Sequence, residues 1–287
     1  MSNRIKNKLW HDSYIRFKRH KLAFISIIVV LFLITIAIFA DIISPHNPDE
    51  QLLEIASKPP LYSCEVIKKK NNSKIIPIKK IIEITNEKIK FIDFLGYERN
   101  ETLSNIDLSD NSAVFKEFYL LGTDKFGRDI LSRLIYGARI SISVGLISQT
   151  IAIFIGILLG SISGYFKGLT DKTIMWFINV VWSFPSILLV ISFSVVLGKG
   201  YWQAFVAIGL TSWVEIARIV RGQFLALKEN EFVESAKSLG FKNGRIIFRH
   251  ILPNAMSPVI VTSTVGLANA IIFEASLSFL GLGVQPP

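Results

Sequence analysis

Five stretches of this chain are uncharged, or meet a charge only at an end, and they set its architecture. They are Leu22–Ala40; Ile140–Phe166; Thr173–Lys199, which closes on its lysine; Gly200–Val214, which continues past Glu215 to about Val220; and Ala255–Phe273, which stops at Glu274. At the helical rise the first measures roughly 28 Å, about one hydrocarbon thickness. It is too long for the apolar core of a secretory signal peptide and Asp41 follows it directly, so it reads as an uncleaved first span. The pattern predicts an all-α membrane protein, a polytopic helical bundle with five spans in this sequence.

The polar stretches orient those spans. Residues 1–21 hold Arg4, Lys6, Lys8, Arg16, Lys18, Arg19 and Lys21 against a single acid, Asp12. If this arm is cytoplasmic, the connector at 167–172 and the basic stretch 218–254 fall on the same side, as the positive-inside rule asks. The predicted organisation is a basic cytoplasmic arm over 1–21, a first span over 22–43, an external loop and pre-span segment over 44–137, and a membrane core over 138–287. A cytoplasmic loop lies within that core at about 221–254. The protein is expected in a plasma membrane, multi-pass, with its N-terminus cytoplasmic and lipid around it. Between 44 and 120 the chain is polar and rich in Asn and Lys. There Ile82/Ile84 and Ile89/Phe91 alternate about Asn86-Glu87, which suggests a small β-hairpin, while an irregular solvated loop is the other reading.

Composition agrees with a membrane chain: 51% of the 287 residues are hydrophobic and 19% charged, with a mean hydropathy of +0.45. A net charge of +10 raises the question of nucleic acid. The basic residues flank apolar blocks and form no stripe with interleaved aromatics, so nucleic acid is not expected as a partner. Cys64 is the single cysteine, which excludes an intrachain disulfide, and His11, His20, His46 and His250 lie far apart, so no metal site is expected.

Within the spans, Ser148, Ala152, Gly156, Gly160 and Gly164 put a small residue at every fourth position. Such a ridge lets a second helix approach closely where lipid provides no hydrophobic drive, and packing inside this chain is the simplest use of it. Glu215 precedes Arg218 by one turn, which predicts a local ion pair. Glu274 is expected near the outer end of its span and partly hydrated. Pro185, in Trp182-Ser183-Phe184-Pro185-Ser186, is expected to kink the third span.

The most informative segment is Leu227–Asn254. Asn230 is placed to cap a helix, Glu231 and Glu234 suit its positive start, and Gly240 its stop. Phe232, Val233, Ala236 and Leu239 make one apolar stripe, the mark of a short amphipathic helix at the membrane surface. A helix resting on lipid would share these features. The spacing of Glu234-Ser235-Ala236, Gly240, His250 and Leu252-Pro253 resembles the E-A-A-x3-G-x9-I-x-L-P loop of ATP-binding-cassette importer permeases. Ser235 stands where that pattern has Ala, and His250 where it has Ile. The resemblance implies a coupling helix seated in an ATPase subunit, with Ala236 permitting close approach, Gly240 turning the chain and Glu234 offering a charged contact.

A second likeness narrows the family. Leu121–Ser141, with Gly122, Thr123, Asp124, Gly127, Arg128 and Asp129, is similar to the segment before the second span of dipeptide/oligopeptide permeases. Glu274–Pro287 is similar to their fifth-span ending, and the likeness covers 1–51 and 119–287. Local capping and ion pairing account for the charges of 124–133 without substrate contact. The family implies a type I importer permease, C-type, with six spans where five are read here. It implies as partners a second homologous permease, two ATP-binding-cassette ATPases holding ATP and Mg, and an extracytoplasmic solute-binding protein. The implied solutes are di- or oligopeptides, or nickel or another peptide-like molecule. No G-x4-G-K-[ST] loop, H-E-x-x-H or G-x-S-x-G occurs, so the chain is expected to bind no ATP itself and to catalyse no reaction. A proton-coupled transporter would need acids deep in the bundle, and an anchor would not need the coupling-loop spacing.

Overall fold

The computed structural model describes residues 17, 19–68, 75–85, 88–94, 96–102, 106, 114–198 and 200–283. The basic arm up to residue 16, Asn86 and Glu87, Lys199 and residues 284–287 lie outside these. The chain forms two compact units, Met1–Arg139 and Ile140–Pro287.

In the first unit, helix α1 (Lys21–Ile38) opens with His20 Nδ1 accepting from Ala23 N at 3.3 Å. Leu22, Phe24, Ile28, Leu31 and Phe32 are all exposed around it. A helix apolar on every side needs an apolar solvent. After the short α2 (Ala40–Ile43) and a 3-10 turn (Leu53–Ile55) the chain builds two antiparallel sheets. One has the order β2 (Ile75–Ile78), β1 (Tyr62–Lys68), β6 (Phe115–Tyr119); the other has β3 (Lys80–Ile84), β4 (Lys88–Ile92), β5 (Glu98–Thr102). The expected hairpin is β3–β4, pairing Ile81 with Phe91 and Ile84 with Ile89 around an irregularity at Ile81/Glu83. Strand alternation explains the faces of β4: Ile89 and Phe91 are fully buried while Lys88 faces out. The irregular solvated loop is therefore not what the segment forms. Its apolar residues are scattered, but they meet in two small cores, one around Ile55, Val66 and Tyr119 and one around Ile67, Ile78 and Phe91.

Helix α3 (Ile130–Phe166) begins ten residues before the uncharged block and carries the chain into the second unit. Next come α4 (Gly168–Trp182) and α5 (Ser186–Leu197), bent by 89° at the break that holds Pro185. Proline supplies no N–H and steers the residue before it away from helix, so the predicted kink becomes a full break. Then follow α6 (Tyr201–Leu227), α7 (Glu231–Ser238), the single turn α8 (Asn243–Arg245), a π-helical turn (Ile246–Ile251) and α9 (Leu252–Phe279). Among the described residues four helices are long and apolar enough to cross a membrane, five spans if the bent pair counts as one.

The small-residue ridge of α3 packs on α6. A Cβ on Gly156 would stand 2.7 Å from Ile216 Cβ, on Gly160 2.5 Å from Ala217 O, and on Gly164 2.6 Å from Phe224 Cβ. Backbones this close gain dispersion contacts that larger side chains would forbid. Glu274 is 7% exposed, not partly hydrated, and accepts from Ser278 Oγ at 2.7 Å within α9.

Candidate coupling surface and membrane cavity

Helix α7 has well-defined ends. Asn230 occupies the N-cap in extended conformation (φ −82, ψ 148), though its side chain makes no capping bond, and Glu231 and Glu234 sit in the first turn. At the other end Gly240 N donates to Lys237 O (2.8 Å) and Phe241 N to Ala236 O (3.2 Å). This pair of bonds is the Schellman closure, and Gly240 holds the φ of +74 it requires.

The predicted apolar stripe divides in two. Val233 (0% exposed) and Ala236 (3%) turn into a core with Phe224, Ile246, Ile247 and Ile251. Phe232 and Leu239 face outward with Glu234, Ser235 and Gly240. The expectation that Ala236 lets a partner approach is thus corrected. An eight-residue helix cannot hold itself, and it is fixed by burying one side against its own chain. The outward row is Phe232, Glu234, Ser235 and Leu239. Neither Glu234 nor Ser235 makes a side-chain hydrogen bond or ion pair among the described residues.

The rest of the motif shapes the exit from the loop. His250 stacks on Phe241 (5.7 Å between centroids), and Arg245 lies over the same ring at 4.2 Å. Leu252 packs against the core, while Pro253 is exposed at the start of α9. Lacking an N–H, Pro253 cannot bond back to the preceding turn, which is π-helical, and Asn254 Nδ2 donates to His250 O at 2.7 Å. The loop is clamped to the end of α3: Tyr165 Oη donates to Asn243 Oδ1 (2.8 Å), and Lys228 Nζ donates to Tyr165 O. Beside it Arg221 forks onto Asp171 through Nε (2.6 Å) and Nη2 (2.7 Å), and Ser163 Oγ donates to the same carboxylate. Sequence reasoning missed these pairs. Their partners are 78 and 50 residues apart, and the only signal was an acid in a basic connector.

A cavity of about 490 Å³ opens among α3, α6, α9 and the break between α4 and α5, lined by Gln149, Trp182, Thr211, Glu215, Arg218 and Asn269 among others. The predicted Glu215–Arg218 ion pair is not formed. The Arg218 guanidinium instead lies 3.8 Å from the Trp182 ring centroid, an attraction that the ring face offers free of desolvating the acid. These positions were legible only as polar residues recurring at i, i+4 and i+7 along one apolar span, as Thr211, Glu215 and Arg218 do.

The segment before α3 is built differently, from bonds to itself. Asp124 accepts from Phe126 N (2.8 Å), Arg128 N (3.0 Å), Arg128 Nε (2.9 Å) and Arg133 Nη1. Those bonds outweigh burial and hold its carboxyl below the usual range. Asp129 caps α3 through Ser132 N (3.0 Å) and Ser132 Oγ (2.5 Å) and also meets His46 Nδ1 at 3.2 Å. His46 Nε2 lies 3.1 Å from Glu117, and its ring stacks on Tyr119 at 4.6 Å. Burial alone would lower the His46 pKa, but the two carboxylates prevail and raise it to about 9. Thr123 Oγ1 donates to Ile55 O and accepts from Lys58 N at 3.0 Å. Gly122 accepts from Ile130 N at 3.2 Å, and Gly127 (φ +75) lies so close to the Leu52 backbone that a Cβ has no room. No group of three His, Cys, Asp or Glu among the described residues is placed to hold a metal ion.

Comparison with known proteins fits this anatomy. Residues 156–287 match the family described as binding-protein-dependent transport system inner membrane component, and 8–60 match the N-terminal transmembrane domain of oligopeptide transport permease C. The oligopeptide transport system permease protein OppC of Bacillus subtilis (strain 168) is 35% identical over 97% of this chain and 73% of its own length. The dipeptide transport system permease protein DppC of Alkalihalophilus pseudofirmus is 46% identical over 58% of this chain and 55% of its own. The glutathione transport system permease protein GsiD of Escherichia coli O6:K15:H31 is 34% identical over 97% and 74%. Among solved structures, the inward-facing MetNI methionine ABC transporter shares 22% identity over 53% of this chain and 76% of that one, with a TM-score of 0.45. The chain therefore belongs to the ATP-binding-cassette importer permeases, in the oligopeptide/dipeptide/glutathione branch.

Proposed function

We propose that the chain is one of two permease subunits of an importer in a bacterial inner membrane, moving di- or oligopeptides inward by alternating access. The observation that carries this reading is α7: an outward row of Phe232, Glu234, Ser235 and Leu239 on a helix locked from behind by Val233 and Ala236. Such a helix can take up a push without yielding, because its inner side is packed and its end is closed at Gly240. With the N-terminus cytoplasmic, α7 meets an ATPase subunit of a partner pair that holds ATP and Mg. Closure of that pair drives α7, and the Tyr165–Asn243 and Asp171–Arg221 bonds pass the motion to α3, α4 and α6. Nucleotide must bind the two states with different affinity for this to do work. A solute-binding protein delivers the peptide on the opposite side, and this chain performs no covalent chemistry. The likeness to GsiD favours a second reading in which the solute is another peptide-like molecule.

Co-purification tests the reading. The membrane-extracted chain, expressed with its second permease and ATPases, is expected to retain the ATPases. Glu234→Arg combined with Leu239→Asp is expected to lose them while the permease pair stays intact. Absence of ATPase from the native complex contradicts the proposal.

A further inference from the structure

Resting on the importer reading, we propose that the cavity among α3, α6 and α9 is a subsite for a short peptide with free ends. Glu215 takes the ammonium group, Arg218 the carboxylate, and Gln149 an amide N–H of the peptide.

Three observations converge on this cavity. First, Gln149 is only 5% exposed, lines the cavity, and its Oε1 has no hydrogen-bond partner. A buried amide oxygen left unpaired is costly, and a peptide N–H is the kind of donor that would satisfy it. Gly266 makes room for that side chain, since a Cβ there would come within 2.5 Å of Oε1. Second, Glu215 and Arg218 lie on one face of α6 without bonding each other, and Arg218 Nη1 is buried with no partner. Opposite charges inside a membrane bundle ordinarily pair, so a separated pair reads as a site for a ligand that carries both signs. Third, the dimensions agree. Residues at i and i+3 stand about 5–6 Å apart at Cβ, an extended dipeptide spans at most about 7 Å, and the 490 Å³ volume lies within the range of small-ligand sites.

Ser186, Thr262 and Asn269 also line the cavity, while two other lining hydroxyls are taken by the helix itself. Thr211 Oγ1 donates to Ile208 O at 2.8 Å and Ser212 Oγ to Ile208 O at 2.9 Å, so both hydroxyls serve the helix. Glu215 and Arg218 offer an anion and a cation, and Gln149 Oε1 an unpaired acceptor, a set that suits a zwitterionic peptide.

The test uses the assembled importer in detergent, without its binding protein. Asn269→Cys places a thiol at the cavity, and the single native cysteine, Cys64, is buried. Labelling of that thiol by a methanethiosulfonate is followed against alanyl-alanine, its N-acetyl derivative and its amide. Alanyl-alanine is expected to protect at about tenfold lower concentration than either blocked form, since a site built for a charge rejects an analogue lacking it. Arg218→Gln is expected to erase the preference over the amide alone, and Glu215→Gln the preference over the acetyl form alone. Gln149→Leu, which touches neither charge, is expected to weaken all three about equally. No protection by saturating alanyl-alanine, or equal protection by all three peptides in the unsubstituted cavity, overturns the subsite even where the ATPases are retained. Failure of the native complex to retain ATPases overturns the importer reading instead, and the protection pattern then reads the subsite by itself.

Discussion

The two family segments, Leu121–Asp129 and the loop around α7, are both dense in charge, glycine and short helix starts, yet they spend those residues in opposite ways. In the first, Asp124 gathers four donors, Asp129 caps α3 and meets His46, and Arg128 is 6% exposed. In the second, the side chains of Glu234 and Ser235 bond nothing among the described residues, and two large apolar side chains face outward beside them. A segment whose polar groups are all satisfied internally is a structural staple. One that is rigid behind and unsatisfied in front suits the docking on an ATPase subunit proposed above.

The comparison can be broken most sharply at Asp124. Asp124→Ala leaves the buried Arg128 guanidinium without its partner and is expected to cost about 3–5 kcal/mol. The readout is the thermal midpoint of the detergent-solubilised chain, and an unchanged midpoint would show that the staple does not hold the first unit. A slightly smaller effect is expected from pH. His46 is raised from 6.5 to about 9, so the stability it contributes is complete below pH 6.5 and is lost as pH rises through 9. Its side chain is 8% exposed, and the shift corresponds to roughly 3 kcal/mol, counted once for His46 and its two carboxylates. Asp129 is lowered by the bonds from His46 and Ser132, which outweigh its burial, so its share is present above 3.8 and is lost in acid. Denaturation of the native chain and of His46→Gln across pH 6 to 10 should show the alkaline loss only in the former.

Within α7 the contrast can be sharpened between its two sides. Val233→Ala removes two buried methyl groups and is expected to cost about 2 kcal/mol. Phe232→Ala, on the outward side, should leave the thermal midpoint nearly unchanged but reduce ATPase retention. The smallest expected effect on stability is that of Glu234→Ala, within about 0.5 kcal/mol. If Glu234→Ala destabilises the chain as Asp124→Ala does, the two segments are not different in kind.

Much of this anatomy was legible in the sequence because it depends on local chemistry. Uncharged length gave the spans, Pro185 gave the break between α4 and α5, and alternation around 82–91 gave the β3–β4 pairing. Gly240 gave the end of α7. What stayed hidden depends on what a face meets. Periodicity put Val233, Ala236, Phe232 and Leu239 on one stripe, but only the position of Ile246, Ile247 and Ile251 decides which half is buried. His46 joins Glu117 and Asp129 across 71 and 83 residues, a distance no local pattern spans. Arg218 was read as the partner of Glu215 because the two are neighbours on a helix, and the indole of Trp182, 36 residues away in sequence, meets it instead.

The most direct test of the central claim is a crosslink from α7. Ser235→Cys and Val233→Cys are made separately in the importer expressed with all its subunits, and membranes are treated with a short thiol-to-amine crosslinker. Ser235→Cys is expected to capture an ATPase subunit, with a yield that changes when ATP is added, and Val233→Cys to capture none. Capture from position 233 and none from 235, or none from either in a complex that still retains its ATPases, would contradict that claim.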